Sequence, residues 1–299
     1  MDRFRMLEAF VRVAELQSFT RAAEDLNVPR ATVTELVQAL ESRLACTLLH
    51  RTTRRVSLTP EGAAFYERAT TILQDLADAE DDLGGARGTP RGRLRVDVPA
   101  AAGRHAIAPA LPQFFARYPE IRLELGSSDR PVELLLEGVD CVIRGGDIHD
   151  ENLVARRLCE YRVVTCAAPA YLERCGVPAS PADLEGHRFV NFFSAKTGRL
   201  FDNEFVRDGE AIRVAGEWSV AANDSDTFVA ATVAGLGLAQ LPLTAYVRGL
   251  IDAGALRVVL GNWSVPPLPL FALWPRRRDR SARLHAFVDW VTELYAAQR

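Results

Sequence analysis

Two different periodicities divide this 299-residue chain, and they meet in the segment LGGARGTPRGRL, residues 83 to 94. Before it, apolar residues recur at helical spacing. After it, short apolar strands alternate with helices. Glycine, proline and arginine dominate the segment itself, which is typical of a linker. A chain of this length is expected to fold as two or more domains, so we expect a small helical part followed by a larger α/β part.

A helix-turn-helix pattern occupies the stretch SFTRAAEDLNVPRATVTELVQAL. Ser18 is the predicted N-cap of the first helix of the pair, and Ala22 and Ala23 allow a close helix crossing. Asn27 tolerates the left-handed backbone of the turn, and Pro29 suits the first turn of the next helix. The spacing therefore predicts two short helices joined by a tight turn.

One face of the second helix is apolar, and we expect Val33, Leu36, Val37 and Leu40 to be buried. The outward face suits a helix in the DNA major groove, where Arg30 can donate to guanine O6 and N7. An ordinary three-helix bundle is the alternative. The predicted DNA contacts in this region are Ser18, Arg30, Ala31, Thr32, Thr34, Glu35 and Gln38.

A basic turn follows in LLHRTTRRVSLTPEG, where Arg51, Arg54 and Arg55 lie between two short apolar runs. Directly after a helix-turn-helix, this arrangement predicts a two-stranded wing whose arginines contact DNA phosphates. A solvated surface turn is the alternative. Residues 1 to 60 have a formal charge of +2, whereas residues 61 to 83 have −6, so the net charge changes sign after the predicted DNA-binding part.

A long helix is predicted next, with Thr59 as N-cap and Pro60 at its first position. Apolar residues then step by four and three, as in the heptad seam of a dimerisation helix. The alternative is a helix packed on its own domain. The predicted seam comprises Phe65, Ala69, Ile72, Leu76, Ala79 and Leu83. A dimer would present two recognition helices to an imperfect palindrome.

The stretch SFTRAAEDLNVPRATVTELVQALESRLACTLLHRTTRRVSLTPEG resembles the LysR-type transcriptional regulators, and the likeness continues along the chain. The resemblance implies a winged helix-turn-helix at 1–60, a coiled-coil dimerisation helix and hinge at 61–92, and an effector-binding domain at 93–299 similar to periplasmic solute-binding proteins. It also implies homodimers and frequent tetramers, double-stranded DNA and a small-molecule effector as partners, with RNA polymerase a further candidate. Many members begin the recognition helix with Ser-Gln-Pro or Ser-Gln-Ser, where this chain has Pro29, Arg30 and Ala31, so its preferred base sequence is expected to differ.

The pattern beyond residue 92 predicts βαβ units and a mainly parallel sheet. Strands are expected at RLRVDV, IRLELG and VDCVIRGG, with helices at RHAIAPALPQFFARY and RPVELLLEG between them. A second unit follows, and the last helix is expected to return to the first. We expect lobe I at about 93–160 and 267–299 and lobe II at about 161–266, with a ligand cleft between them.

Ligands in open α/β folds bind beyond the carboxyl ends of strands, which identifies a set of candidate effector contacts. Backbone amides at the PAAAG loop would hold an anion such as a carboxylate, with Arg144 in support. Each candidate also has a structural alternative: Ser127 and Ser128, or Asn223 and Asp224, as helix caps, and Arg144 paired with Asp147. The candidates are Ala100, Ala101, Ala102, Ser127, Ser128, Arg144, Phe193, Ser194, Lys196, Asn223 and Asp224.

Other classes of protein fit the sequence less well. An α/β enzyme would be expected to show a nucleophile elbow, a phosphate loop or a metalloprotease motif, and the sequence has none. The scattered histidines and five cysteines predict no metal site and no cofactor. The sequence has no signal peptide pattern and no membrane-spanning run, so we expect a cytoplasmic protein rather than an exported solute-binding protein. A thiol-redox sensor of the same fold, through Cys159, Cys166 or Cys175, is the remaining alternative.

Overall fold

A computed structural model of the chain describes residues 2–51, 56–83, 90–130, 138–146, 152–279 and 281–297. The chain divides into two compact units, Met1–Gly88 and Thr89–Arg299. Each unit has hydrophobic cores of its own.

The first unit is a three-helix core with a two-stranded wing and a long helix. Its elements are α1 (Arg3–Leu16), α2 (Phe19–Asp25), α3 (Arg30–Leu44), β1 (Leu49–Arg51), β2 (Val56–Leu58) and α4 (Pro60–Leu83). The core contains the four residues predicted for α3, Val33, Leu36, Val37 and Leu40, together with Phe10 of α1. The apolar spacing of the sequence thus predicted this core correctly.

The second unit contains two lobes joined by two long strands. Its first part comprises β3 (Gly92–Val98), α5 (Ala100–Ala102), a π-helical turn (Gly103–Ile107), α6 (Ala108–Arg117), β4 (Ile121–Ser127), β5 (Cys141–Gly145) and β6 (Leu153–Ala167). Next come α7 (Pro169–Cys175), a 3₁₀ turn (Pro181–Gly186), β7 (Arg188–Phe192), β8 (Asn203–Arg207), β9 (Glu210–Val214) and β10 (Glu217–Ala222). The last part comprises α8 (Ser225–Val233), β11 (Ala239–Pro242), α9 (Ala245–Asp252), β12 (Arg257–Val258), β13 (Val265–Pro275), a 3₁₀ turn (Arg276–Arg278) and α10 (Ala282–Ala296).

The main sheet is mixed rather than mainly parallel. Its strand order is β11-β6-β13-β5-β3-β4, with β12 also paired to β6. β3 runs parallel to β4 and β5, but β13 runs antiparallel to β5 and β6, and β6 runs antiparallel to β11 and β12. The predicted parallel sheet was therefore wrong for this part, because β6 and β13 pass between the lobes in opposite directions.

Lobe I (β3 to β5 and α5, α6 and α10) packs around one core, in which Phe287 and Val291 of α10 meet Leu94 and Val96 of β3. Lobe II (α7 to α9 and β7 to β12) has two smaller cores, one centred on β7, β11 and α8 and the other around Phe189 and Phe205. The predicted boundaries between the lobes, near residues 160 and 266, lie within β6 and at the start of β13. The predicted helix at RPVELLLEG lies mainly outside the described residues.

The helix after β3 begins earlier than predicted. Ala100 to Ala102 form its first turn, which continues through the π-helical turn into α6. The predicted PAAAG loop is therefore helical from Ala100 onward. Alanine is the residue with the highest helix propensity, so three in a row favour helix despite the glycine that follows.

Candidate functional site

The recognition helix α3 presents a polar face. Arg30, Ala31, Glu35 and Gln38 are exposed, and Thr32 is half-buried. The hydroxyl of half-buried Thr34 donates to the carbonyl oxygen of Arg30, 3.0 Å away. Its hydrogen is thus used within the helix, so Thr34 has a methyl group and an acceptor oxygen, but no free donor, for an outside partner.

The turn before α3 has the predicted conformation. Asn27 is left-handed, with φ 52°. Pro29 was predicted in the first turn of α3 but is its N-cap, with an extended backbone, and its carbonyl accepts the amide of Val33 at 3.3 Å. Ser18 caps α2 as predicted, since its hydroxyl accepts the amide of Arg21 at 3.3 Å.

The wing consists of β1 and β2, which pair antiparallel with Leu49 opposite Leu58. Arg51 ends β1. Arg54, Arg55 and the predicted side-chain contacts of Arg51 lie outside the described residues. The structure therefore places the backbone of a wing after α3.

The long helix α4 begins with the predicted cap. The hydroxyl of Thr59 accepts the amide of Gly62 at 2.8 Å and donates to the carbonyl of Thr47 at 2.8 Å. Gly62 lies so close to the wing that a Cβ there would approach the carbonyl oxygen of Leu48 to 2.0 Å. Only glycine allows this contact between α4 and the start of the wing.

The predicted dimerisation seam along α4 is only partly available to a partner. Ala69 is fully buried in the core of its own unit, and the ring of Phe65 lies 5.7 Å from that of Phe10. Assigning Ala69 to a partner was wrong, because the first turns of α4 complete the helix-turn-helix core. Phe65 is half-buried, so its assignment to a partner stays a prediction. Ile72 is 47% exposed and Leu76 is half-buried, while the side chains of Ala79 and Leu83 lie outside the described residues.

In the second unit, the start of the helix at Ala100 lies beside the end of β4. The hydroxyl of Ser127 donates to the carbonyl of Ala100 at 3.4 Å, and the amide of Ser128 donates to the carbonyl of Val98 at 2.9 Å. A Cβ at Gly103 would approach the Ser127 hydroxyl to 2.6 Å. The structure thus brings the lobe I candidates Ala100 to Ala102, Ser127 and Ser128 together.

Lobe II meets this edge through Ser225, the first residue of α8. The hydroxyl of Ser225 accepts the amide of Ala101 at 3.0 Å. The same hydroxyl and the amide of Ser225 both donate to the Asp129 carboxylate, at 2.8 and 2.7 Å. Two helix starts, one from each lobe, therefore converge near a single carboxylate.

A second contact joins the lobes next to the first. Nε2 of His105 lies 3.0 Å from the Asp226 carboxylate, whose other oxygen lies 2.9 Å from the Arg104 guanidinium. The imidazole of His105 also stacks on the Tyr246 ring, with centroids 3.7 Å apart. We call Ala101, Arg104, His105, Asp129, Ser225, Asp226 and Tyr246 the interlobe cluster.

Arg144 is held by lobe I itself. Its guanidinium forms an ion pair with Asp97 and donates to the carbonyls of Ile143 at 2.7 Å and Arg130 at 3.1 Å. These contacts differ from the predicted support for an anion. The alternative pairing of Arg144 with Asp147 involves a residue outside the described ranges. Arg144 thus links β5 to β3 and to the segment after β4.

The lobe II candidates lie where the parallel strands β7 and β10 end. The amide of Phe193 donates to the carbonyl of Ala222 at 2.9 Å, which places Phe193 next to Asn223. Asp224 caps α8, since its carboxylate accepts the Thr227 amide at 2.7 Å. Ser194 accepts the amides of Lys196 and Thr197 in an exposed turn, each at 3.3 Å. Asn223 and Asp224 thus adjoin the interlobe cluster, whereas Ser194 and exposed Lys196 lie in a separate turn.

Comparison with family models identifies both units. Residues 4–63 match the bacterial regulatory helix-turn-helix protein, lysR family, and residues 87–296 match the LysR substrate binding domain. The chain belongs to the LysR family of transcriptional regulators. The resemblance noted in the sequence is thereby confirmed, and these domains are those of DNA-binding regulators rather than enzymes.

Named relatives of this LysR-type regulator match over nearly the whole chain. An HTH-type transcriptional repressor of Pseudomonas aeruginosa strain UCBPP-PA14 is 39% identical, covering 99% of this chain and 93% of its own. The HTH-type transcriptional regulator YhjC of Escherichia coli strain K12 is 38% identical over 97% of each chain. The structure of CrgA, a LysR-type transcriptional regulator from Neisseria meningitidis, aligns with a TM-score of 0.62 at 33% identity, covering 97% of this chain and 98% of CrgA.

Sequence reasoning missed most of the interlobe cluster of this regulator. Ser225 and Asp226 directly follow the predicted pair Asn223 and Asp224, so the same strand end could have suggested them. Asp129 similarly follows Ser127 and Ser128. His105 and Tyr246 carried no local signal, because their partners are far away in the sequence.

The described part of the chain contains neither a cluster of metal ligands nor a membrane-spanning helix. Within the described ranges, His, Cys, Asp and Glu side chains form no group of three or more suited to a metal ion. No helix among the same residues is long and apolar enough to cross a bilayer.

Proposed function

We propose that this LysR-type regulator reads bases through Arg30 and its neighbours on α3, while the wing arginines Arg51, Arg54 and Arg55 contact phosphates. The exposed start of α3 supports the first part, because N-terminal residues of a recognition helix reach base edges. The position of β1 and β2 directly after α3 supports the second. Together these contacts combine base reading with salt-dependent affinity.

The effector we propose is an anionic small molecule, such as a carboxylate, bound between the lobes. The observation that carries this proposal is the Asp129 carboxylate, which accepts both the amide and the hydroxyl of Ser225. This contact indicates that the start of α8 suits a carboxylate. A ligand carboxylate would compete with Asp129 for these donors, next to the amides of Ala100 to Ala102.

Displacement of Asp129 would couple the ligand to the lobes. Asp129 and Ala101 belong to lobe I, and both contact Ser225 of lobe II. An effector that replaced one of these contacts would favour a different lobe arrangement only if its affinity for the two arrangements differed. We propose that this shift alters how two DNA-binding units of a dimer meet their half-sites.

The test is a DNA footprinting titration on the region upstream of the protein's own gene, with and without a panel of aliphatic and aromatic carboxylates. We expect protection over an imperfect palindrome and a change in its extent with one class of carboxylate. Salt-sensitive binding without a preferred site would contradict the assignment of base reading to α3. Protection that no carboxylate alters, together with no carboxylate-induced rise in the thermal unfolding midpoint, would contradict the effector class.

We further propose a homodimer formed through the part of α4 beyond Ala69, where Ile72 is exposed. Pairing there would bury an apolar side chain that now contacts water. Two such dimers would form the tetramer that the family resemblance suggests. RNA polymerase remains a proposed partner on the same resemblance alone.

The properties of the cysteines support a thiol-redox sensor less well than a regulator controlled by a small-molecule effector. Burial raises the pKa of the Cys141 and Cys166 thiols to about 12, so almost none of either is thiolate at neutral pH. Cys159 is also buried, whereas Cys175 is exposed. Unchanged DNA binding after peroxide treatment is the expected result, and a loss of binding that a thiol reductant reverses would favour the alternative.

A further inference from the structure

The first residues of the wing are held by a side chain of the recognition helix. One carboxylate oxygen of Glu41 on α3 accepts the amide of Leu48 at 2.8 Å and the amide of Leu49 at 3.1 Å. These contacts are partly buried, and Leu48 and Leu49 are each only 2% exposed. A carboxylate accepting two amides fixes the backbone direction at which β1 begins.

The turn between α3 and β1 is closed by backbone contacts to the last residues of α3. α3 ends at Leu44, and Ala45 takes the left-handed conformation of a helix C-cap, with φ 50°. The amide of Cys46 returns to the carbonyl of Glu41 at 3.1 Å. Glu41 therefore organises this turn twice, through its carbonyl and through its carboxylate.

The opposite side of the same segment is held by α4. The amide of Thr59 donates to the carbonyl of Leu48 at 3.0 Å, and the hydroxyl of Thr59 donates to that of Thr47 at 2.8 Å. Residues 47 to 49 thus lie between the recognition helix and the start of the long helix. Of these two supports, only Glu41 ties the wing directly to the helix that enters the major groove.

We infer that Glu41 is a positioning residue for DNA binding, which sets the wing at the distance from α3 that lets both contact one duplex. Two DNA-contacting elements of one protein bind a duplex tightly only when the segment that joins them lets both reach it at the same time. Loss of the Glu41 contact would let β1 move away from α3, and the wing arginines would then miss their phosphates. This inference rests on the proposed wing–phosphate contacts.

The test measures the salt dependence of binding to a labelled 40-base-pair duplex of mixed sequence, using the full-length protein. Each lost phosphate contact makes the slope of log affinity against log salt shallower by about one. Glu41→Asp keeps the charge but shortens the side chain, whereas Glu41→Gln keeps the length and an acceptor oxygen. We expect a shallower slope for Glu41→Asp and a slope close to the wild-type value for Glu41→Gln.

Salt slope separates positioning from simple instability, because a smaller folded fraction lowers apparent affinity without changing the slope. Glu8→Ala, at an exposed position on α1, controls for loss of a negative charge from this unit. A wild-type slope for Glu41→Asp would overturn the inference. A shallower slope for Glu41→Gln than for Glu41→Asp would also overturn it, because it would assign the effect to charge.

The double variant Arg54→Ala/Arg55→Ala tests the underlying proposal separately. A wild-type slope in that variant would contradict the wing–phosphate contacts themselves, whatever Glu41 does. If Glu41→Asp lost its helical circular dichroism, the variant could not test the inference. Amide hydrogen exchange of Leu48 and Leu49 in the wild-type protein would then test it. Protection of Leu48 and Leu49 comparable to that of the α3 core is expected, and fast exchange at both would overturn the inference.

Discussion

Ser225 of lobe II and Ala101 of lobe I share a hydrogen bond of 3.0 Å between a hydroxyl and a backbone amide. The two residues are 124 positions apart in the sequence. The same hydroxyl donates to Asp129, so one small side chain at the start of α8 contacts both the start of the lobe I helix and a lobe I carboxylate. The lobes are thus held by the chain's own polar groups at the proposed effector position.

Ser225→Ala is expected to destabilise the second unit. The change removes the acceptor of the Ala101 amide and one of two donors to Asp129, and hydrogen bonds to charged groups each contribute about 1.5 to 3 kcal/mol. We expect the free energy of unfolding to fall by about 1 to 3 kcal/mol, measured by urea denaturation. Ser194→Ala is the matched control, because its hydroxyl accepts only local amides in a turn. An equal fall in the free energy of unfolding of both variants would show that the interlobe hydrogen bonds stabilise the unit no more than a local turn does.

The core and the turn of the first unit could be predicted closely from the sequence. Its contacts are local: the spacing of Val33, Leu36 and Val37 determines which face of α3 is buried, and Asn27 indicates the turn. Ala69 was the exception, because helical spacing identifies an apolar face without saying whether that face meets its own domain or a partner.

The second unit was less predictable for a different physical reason. Local patterning located β3, β4 and β5, but strand direction in the sheet depends on where β6 and β13 cross between the lobes. Arg144 was identified as a cation near a strand end, yet its pairing with Asp97 depends on that sheet order. Contacts such as His105 with Asp226 join residues 121 positions apart and leave no periodic signal.

Arg30→Ala is expected to weaken specific DNA binding by about 1 to 3 kcal/mol and to relax sequence preference. The measurement compares a duplex selected by the wild-type protein from a random pool with a scrambled duplex of the same composition. Thr34→Val is expected to have the smaller effect, since the Thr34 hydroxyl already donates to the Arg30 carbonyl. Equal losses on both duplexes for Arg30→Ala would contradict base reading by this residue.

Ile72→Glu is expected to weaken self-association. Ile72 is 47% exposed on α4, and placing a carboxylate there would put a charge in the proposed dimer contact. We expect the dimer dissociation constant to rise at least about tenfold, a change of 1.4 kcal/mol, in sedimentation velocity experiments. Ala64→Glu adds the same charge at another exposed position of α4 and serves as the control. An unchanged dissociation constant for Ile72→Glu would place the dimer contact elsewhere.

His187 is expected to make the second unit less stable in mild acid. Burial lowers the pKa of this imidazole below its usual 6.5, and its Nδ1 lies 3.2 Å from the Tyr171 hydroxyl. The unfolded chain therefore takes up the proton first as pH falls. The neutral imidazole contributes its full stabilisation above about pH 6.5. That contribution is lost as the pH falls through the lower pKa of the folded state.

Thermal unfolding between pH 7.5 and 5 would check this, with His187→Gln as the variant that cannot titrate. Protonation of nearby Asp183 does not contribute to the change in stability between pH 7.5 and 5. The amides of Ser180 and Ala179 lower the pKa of Asp183 below its usual 3.8, so its contribution is lost only in stronger acid. We expect the wild-type midpoint to fall more steeply with decreasing pH than the midpoint of His187→Gln. Parallel curves for the two proteins would mean that His187 remains neutral, or becomes protonated, equally in the folded and unfolded states.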